Sequence, residues 1–128
     1  MLERLVYMST AASDLTVPEV RRIVARAQMR NRQLDVTGML MLVRSEFLQV
    51  LEGRHAALDE VVGYISRNPR HHDIRLIDRQ PITTRRFERW HMGLLVTDAL
   101  ADAVAALRRG HTTVDAVIDA MRADADLM

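Results

Sequence analysis

Residues 35–53, DVTGMLMLVRSEFLQVLEG, read as two strands, 35–44 and 46–52, joined by a tight hairpin near Ser45. In the second arm, alternation puts Phe47, Gln49 and Leu51 on one face and Leu48 and Val50 on the other. Both faces are apolar, as expected of a strand covered on both sides. Gln49 breaks the pattern. A primary amide has two donors and two acceptor lone pairs, and burying it unpaired costs about 1–3 kcal/mol. Something polar must face it, either another buried side chain or a bound ligand.

Outward from the hairpin, residues 2–9, LERLVYMS, alternate as a first strand, with Leu5, Tyr7 and Ser9 on one face and Val6 and Met8 on the other. Thr16 is an N-cap, and Pro18 and Glu19 fill the first turn behind it. The helix they start runs to about Asn31, with Val20, Ile23, Val24 and Ala27 as its apolar stripe. A second helix spans about 55–67, with Leu58, Val61, Val62 and Ile65 on one face, and NPRHH at 68–72 breaks it. Strands follow at about 73–80, ended by Pro81, and at about 91–97.

The order βαββαββ predicts an α+β, ferredoxin-like fold: a five-stranded mixed sheet with two helices on one face. The first and third strands are expected to be adjacent and parallel. After Thr97 the chain turns Ala- and Asp-rich, and Gly110 divides two further helices. The second carries Val114, Val117, Ile118 and Met121 at helical spacing and needs cover, from its own domain or from a second subunit, which points to a homo-oligomer. The expected division is therefore a domain at 1–97 and a helical extension at 98–128.

Composition excludes much. The 128 residues are 48% hydrophobic, which supports a core and argues against disorder. There is no cysteine, so disulfides, thiolate metal sites and cysteine nucleophiles are excluded. No signal-length apolar segment and no 18-residue apolar run occur, so a cytoplasmic placement away from the membrane is expected. The formal net charge of +1 gives no overall bias toward nucleic acid. All 18 basic residues are arginine, which removes lysine chemistry and leaves phosphate binding to Arg, His or backbone N–H groups. Adjacent His71, His72 and Asp73 lack the i, i+4 spacing of helical metal ligands, so no metal is expected. Glu52 reads as a solvated strand-end carboxylate, and the Arg85–Arg86 and Arg108–Arg109 pairs as surface charge.

Three polar residues point inward by pattern: Tyr7, Gln49, and Asn31, which continues the Ile23–Ala27 line. Each alone has an ordinary explanation: a packed tyrosine ring, a helix cap, an open sheet edge. Together they put a phenol and two amides beside an apolar slot between two helices, which suits a flat aromatic ligand with a polar edge.

These residues resemble the BLUF domains, blue-light sensors that use FAD. LVYMS with Tyr7, NRQLDVTGMLML after Asn31, FLQVLEG with Gln49, NPRHHDI at 68–74 and ITTRRFERWHM at 82–92 are similar to the family's landmarks, in order and at matching intervals across residues 2–97. The resemblance implies a flavin between the two helices, with Ile23 and Ile65 against its faces and Asn31 on its pyrimidine edge. Gln49 would lie between the flavin and the Tyr7 hydroxyl, with Met92 close by and Trp90 on the last strand. Arg70 and His71 correspond to residues near the flavin. Arg30 and Asn68 depart from the family pattern, where an aromatic or His and an Asp are common.

The resemblance further implies that Tyr7 gives up an electron and a proton through Gln49 under blue light, and that Gln49 then turns over or tautomerises. Glutamine suits this because its two ends differ chemically but hardly in shape. No substrate is turned over, so the implied device is a switch and not an enzyme. Its output would run through Met92, Trp90 and the tail helices to a separate downstream protein. The competing readings are a flavin-dependent oxidoreductase and a light-insensitive interaction module.

Overall fold

The computed structural model describes residues 1–126. In chain order the elements are β1 (Leu2–Ala11), α1 (Val17–Leu34), β2 (Thr37–Val43), β3 (Glu46–Arg54), α2 (His55–Ser66), β4 (His71–Ile82), β5 (Gly93–Val96), α3 (Ala101–Arg108) and α4 (Val114–Asp126). The expected α+β, ferredoxin-like plan is the observed one, with strand order β4-β1-β3-β2-β5.

One expectation about direction is wrong. β1 and β3 are adjacent but antiparallel, and β2–β5 is the parallel pair. The reason is topological. The α1 crossover returns β2 in the same sense as β1, and the hairpin then slots β3 between them, so β3 opposes both. The corrected direction brings Tyr7 directly opposite Gln49 in the ladder.

Helix α1 begins as its sequence predicts, with Thr16 Oγ1 accepting from the Glu19 N–H at 3.3 Å. It runs a turn further than expected. Asp35, in the left-handed region, caps it through bonds to Arg32 O and Asn31 O, so Asn31 is an interior residue of the last turn and not the cap. Strand β4 is also longer than predicted and passes through Pro81, which pairs with Glu3. It is an edge strand, where a missing N–H can face outward. Two register shifts against β1, with Asp73 at φ 54, extend its pairing back to His71. β5 begins only at Gly93, so Trp90 and Met92 lie in the segment before the strand and not on it.

Both sheet faces are covered, as the apolar alternation of β3 required. Leu5, Tyr7, Phe47 and Leu51 pack with Val20, Val24 and Ala27 of α1 and Leu58 and Val61 of α2. Val6, Met8, Met41, Leu48 and Val50 pack on the other face with Val104 and Leu107 of α3 and Val117, Ile118 and Met121 of α4. The stripe of the tail is thus covered by its own chain. Arg4, buried at one end of this second core, reaches Asp115 of α4 at 2.8 Å and Asp78 of β4 at 3.2 Å. Among the described residues no helix is long and apolar enough to cross a membrane.

Candidate functional site

A cavity of about 250 Å³ opens between α1 and α2 above the sheet. Its floor is Tyr7, Leu40, Phe47 and Gln49, its walls are Ile23, Val24, Ala27 and Ile65, and Arg30, Tyr64, Asn68, Arg70 and His71 ring it. Strand alternation makes the floor: Tyr7 and Gln49 face each other across the β1–β3 ladder and point to the same side.

The Tyr7 hydroxyl donates to Gln49 Oε1. The Gln49 amide donates from Nε2 to Met92 Sδ at 3.2 Å. Tyr7 and Gln49 are each only 5% exposed. The partner that Gln49 demanded is therefore present in the fold itself. Burial raises the Tyr7 phenol far above the ordinary tyrosine range, and the nearby charge of Arg30 offsets only part of this. Tyr7 therefore stays protonated and remains a donor.

Met92 is held from two sides. Its backbone carbonyl accepts from Gln28 Nε2 at 2.9 Å, and the preceding His91 carbonyl accepts from Asn31 Nδ2 at 2.7 Å. His91 Nδ1 lies 3.1 Å from Val36 O. Asn31 is fully buried behind the cavity wall and does not line it, and its Oδ1 has no hydrogen-bond partner. Trp90 stays outside. It is 36% exposed, stacks on Phe87 at 6.1 Å between ring centres, and its carbonyl accepts from the Gly38 N–H at 2.9 Å.

The rim is ordered by polar contacts. Asn68 Oδ1 accepts from the Arg70 N–H at 2.9 Å, and Arg70 pairs with Asp14 and Glu19 at 3.2 and 3.3 Å. His71 Nε2 lies 2.8 Å from Ile65 O, so it must carry the proton. Its Nδ1 lies 2.8 Å from the Ser9 hydroxyl oxygen. Arg30 lies over the Tyr64 ring, 4.7 Å from its centre, and burial lowers its pKa. The Nε groups of Arg30 and Arg70 are buried without partners.

A flavin fits these residues. The slot is apolar and roughly the size of a fused ring, near the ~300 Å³ lower end of ligand pockets. At the rim, Arg30 is a guanidinium without a carboxylate partner among the described residues, suited to phosphate.

The structure brings together all the predicted site residues except Trp90, which lies outside the cavity, and Asn31, which sits behind its wall. Three residues escaped the sequence reading or were misread. Gln28, which lies off the apolar stripe of its helix, was not singled out, yet it donates to the Met92 carbonyl. Glu52 is fully buried, not solvated, and bonds to the Arg86 and Phe87 amides. Arg85 is no loose surface charge, since it is mostly buried and bonds to Thr37, Glu52 O and Asp35.

Residues 2–93 match the family described as "BLUF: Sensors of blue-light using FAD". The "Blue light- and temperature-regulated antirepressor BluF" of Escherichia coli (strain K12) is 38% identical over 96 residues, which are 73% of this chain and 23% of that protein. The chain spans less than a quarter of the curated relatives it matches. The solved structure "BlrB - a BLUF protein, dark state structure" is 31% identical with TM-score 0.81, covering 99% of this chain and 97% of that one. "Klebsiella pneumoniae BlrP1 with FMN and cyclic diGMP, no metal ions" is 31% identical with TM-score 0.75, covering 98% of this chain and 35% of that one.

Fold and cavity together define a flavin-binding sensor domain. The chain belongs to the BLUF family of blue-light sensors. Residues 2–93 are thus a blue-light sensor module. The oxidoreductase and light-insensitive readings give way to that membership.

Proposed function

We propose that Tyr7, Gln49 and Met92 are the light-responsive hydrogen-bond set of this photoreceptor, with FAD seated between α1 and α2. The observation that carries the proposal is the buried chain from the Tyr7 hydroxyl through the Gln49 amide to Met92 Sδ at the cavity floor. A bound flavin supplies the absorption of blue light and a polar ring edge beside Gln49. Ile23 and Ile65 would lie against the faces of the ring, while Asn31, behind the wall, braces the Met92 segment through the His91 carbonyl. Arg30 would take the phosphate-bearing side chain, while Arg70, paired with Asp14 and Glu19, holds the rim in shape with Asn68 and His71. FAD is preferred over riboflavin because the Arg30 guanidinium lacks an anion, and over FMN because of the family's description.

Tyr7 Oη holds the mobile proton and gives it toward Gln49 Oε1. Turning the Gln49 amide end for end then exchanges donor for acceptor at both neighbours without a change in packed volume. Met92 Sδ loses its N–H donor, and the 83–92 segment that carries Met92 and Trp90 shifts with it. Residues 1–97 are read as the flavin domain and 98–128 as the extension; the family match at 2–93 supports the first without fixing the boundary. The extension passes the signal to a separate downstream protein in the cytoplasm, or to a second copy of this chain.

The test is spectroscopic. The purified protein is yellow, releases FAD on denaturation, and shows a reversible red shift under blue light. Gln49→Leu keeps the flavin and loses the shift; a Gln49→Leu protein that still shifts sinks the mechanism.

A further inference from the structure

The 83–92 segment touches both cores. Phe87 packs in the cluster beneath α3 and α4, while Met92 packs in the cluster around the cavity. Between them the segment is tied to β3 by Glu52. This residue lies three positions beyond Gln49 and so on the opposite sheet face. Glu52 Oε2 accepts the Arg86 N–H at 2.5 Å. Its Oε1 accepts the Phe87 N–H at 2.9 Å and the Thr37 hydroxyl at 3.2 Å. Arg85 braces the same point, donating from Nη1 to Thr37 Oγ1 at 2.9 Å and to Glu52 O at 3.2 Å. The Arg86 side chain then pairs with Asp119 of α4 and reaches Asp115 at 3.6 Å.

A carboxylate with no exposed surface is costly to bury. Here its charge is spent on two main-chain N–H groups of a segment that has no regular structure of its own. Such an arrangement fixes a stretch of backbone in place. We infer that Glu52 is a positioning residue: a clasp that pins residues 85–87, so that displacement at Met92 is passed through Phe87 and Arg86 to α4 and not absorbed within the segment. The light-driven input to this route rests on the photosensor reading above. Strand β3 thus serves two ends, with Gln49 facing the cavity and Glu52 holding the exit route on the reverse face.

Hydrogen exchange of the full chain, in darkness and under blue light, tests it. In the dark wild type the Arg86 and Phe87 amides are protected. Glu52→Gln keeps the size but turns an N–H₂ toward one of these donors. Their exchange should then rise at least about tenfold, as for loss of one hydrogen bond to a charged acceptor. Under light the wild type changes exchange in 83–92 and in α4. Glu52→Gln retains the spectral shift and the change in 83–92 but loses most of the change in α4. An α4 response equal to wild type overturns the inference. Should Glu52→Gln not fold, Thr37→Val removes the hydroxyl that donates to Glu52 and accepts from Arg85, and gives the same pattern at smaller size, with the same overturning result. A wild type without a red shift overturns the photosensor reading instead, whereas unprotected Arg86 and Phe87 amides in darkness overturn the clasp.

Discussion

The Tyr7 hydroxyl ties the stability of this protein to alkaline pH. Its pKa is raised in the folded chain by burial. Above about pH 10 the unfolded tyrosine loses its proton while the folded one keeps it. The folded state then binds more protons, so stability is intact below the unfolded pKa and falls as pH rises beyond it, by up to about 1.4 kcal/mol per pH unit. Tyr7→Phe removes this dependence and also the red shift. Urea unfolding at pH 9 and pH 11 should therefore show a smaller alkaline loss in Tyr7→Phe than in wild type, and equal losses would contradict the assignment. Tyr7 and Gln49 were legible because strand period and residue type are both local signals. Glu52 was not. Its partners lie 34 and 35 residues away, and nothing near FLQVLEG shows that a later segment folds over it. The burial of Asn31 was read correctly from its stripe, but its place behind the cavity wall was not, because its bond to the His91 carbonyl joins a helix to an irregular segment that has no sequence signature.

At the scale of elements, the β2–β3 hairpin carries the strictest steric demand. Gly38 has φ 157, and a Cβ there would collide with the backbone carbonyl of Val50 on the neighbouring strand. Gly38→Ala must push β2 and β3 apart next to Gln49, at a cost of about 3 kcal/mol or more, the range of severe backbone substitutions. Denaturant titration checks the figure, and a loss below about 1 kcal/mol would show that the strands relax freely. Element order and type could be read from periodicity and caps, so the ferredoxin-like plan was accessible. The relative direction of β1 and β3 follows from the same order once the hairpin is inserted between parallel strands. The true start of β4 was hidden, because a register shift at Asp73 leaves no mark in residue types beyond a bulged NPRHHD run.

The whole molecule is one sheet between two helical layers, with β1 and β3 contributing side chains to both cores. Neither layer can leave without exposing the other's support, so loss of flavin and loss of helix content should coincide in one unfolding transition. Ile118 is fully buried against the sheet, on the layer remote from the cavity. Ile118→Ala should lower stability by about 2–5 kcal/mol. It should shift the flavin absorbance and far-ultraviolet circular dichroism transitions together, and a shift in only one would show the layers to be independent. Trp90 offers a way to watch this coupling. It is the chain's single tryptophan, stacked on Phe87 and laid over Gly93, where no side chain intervenes. The protein thus carries its own fluorescent label. Emission from one indole reports the motion of the 83–92 segment alone, with no dye attached.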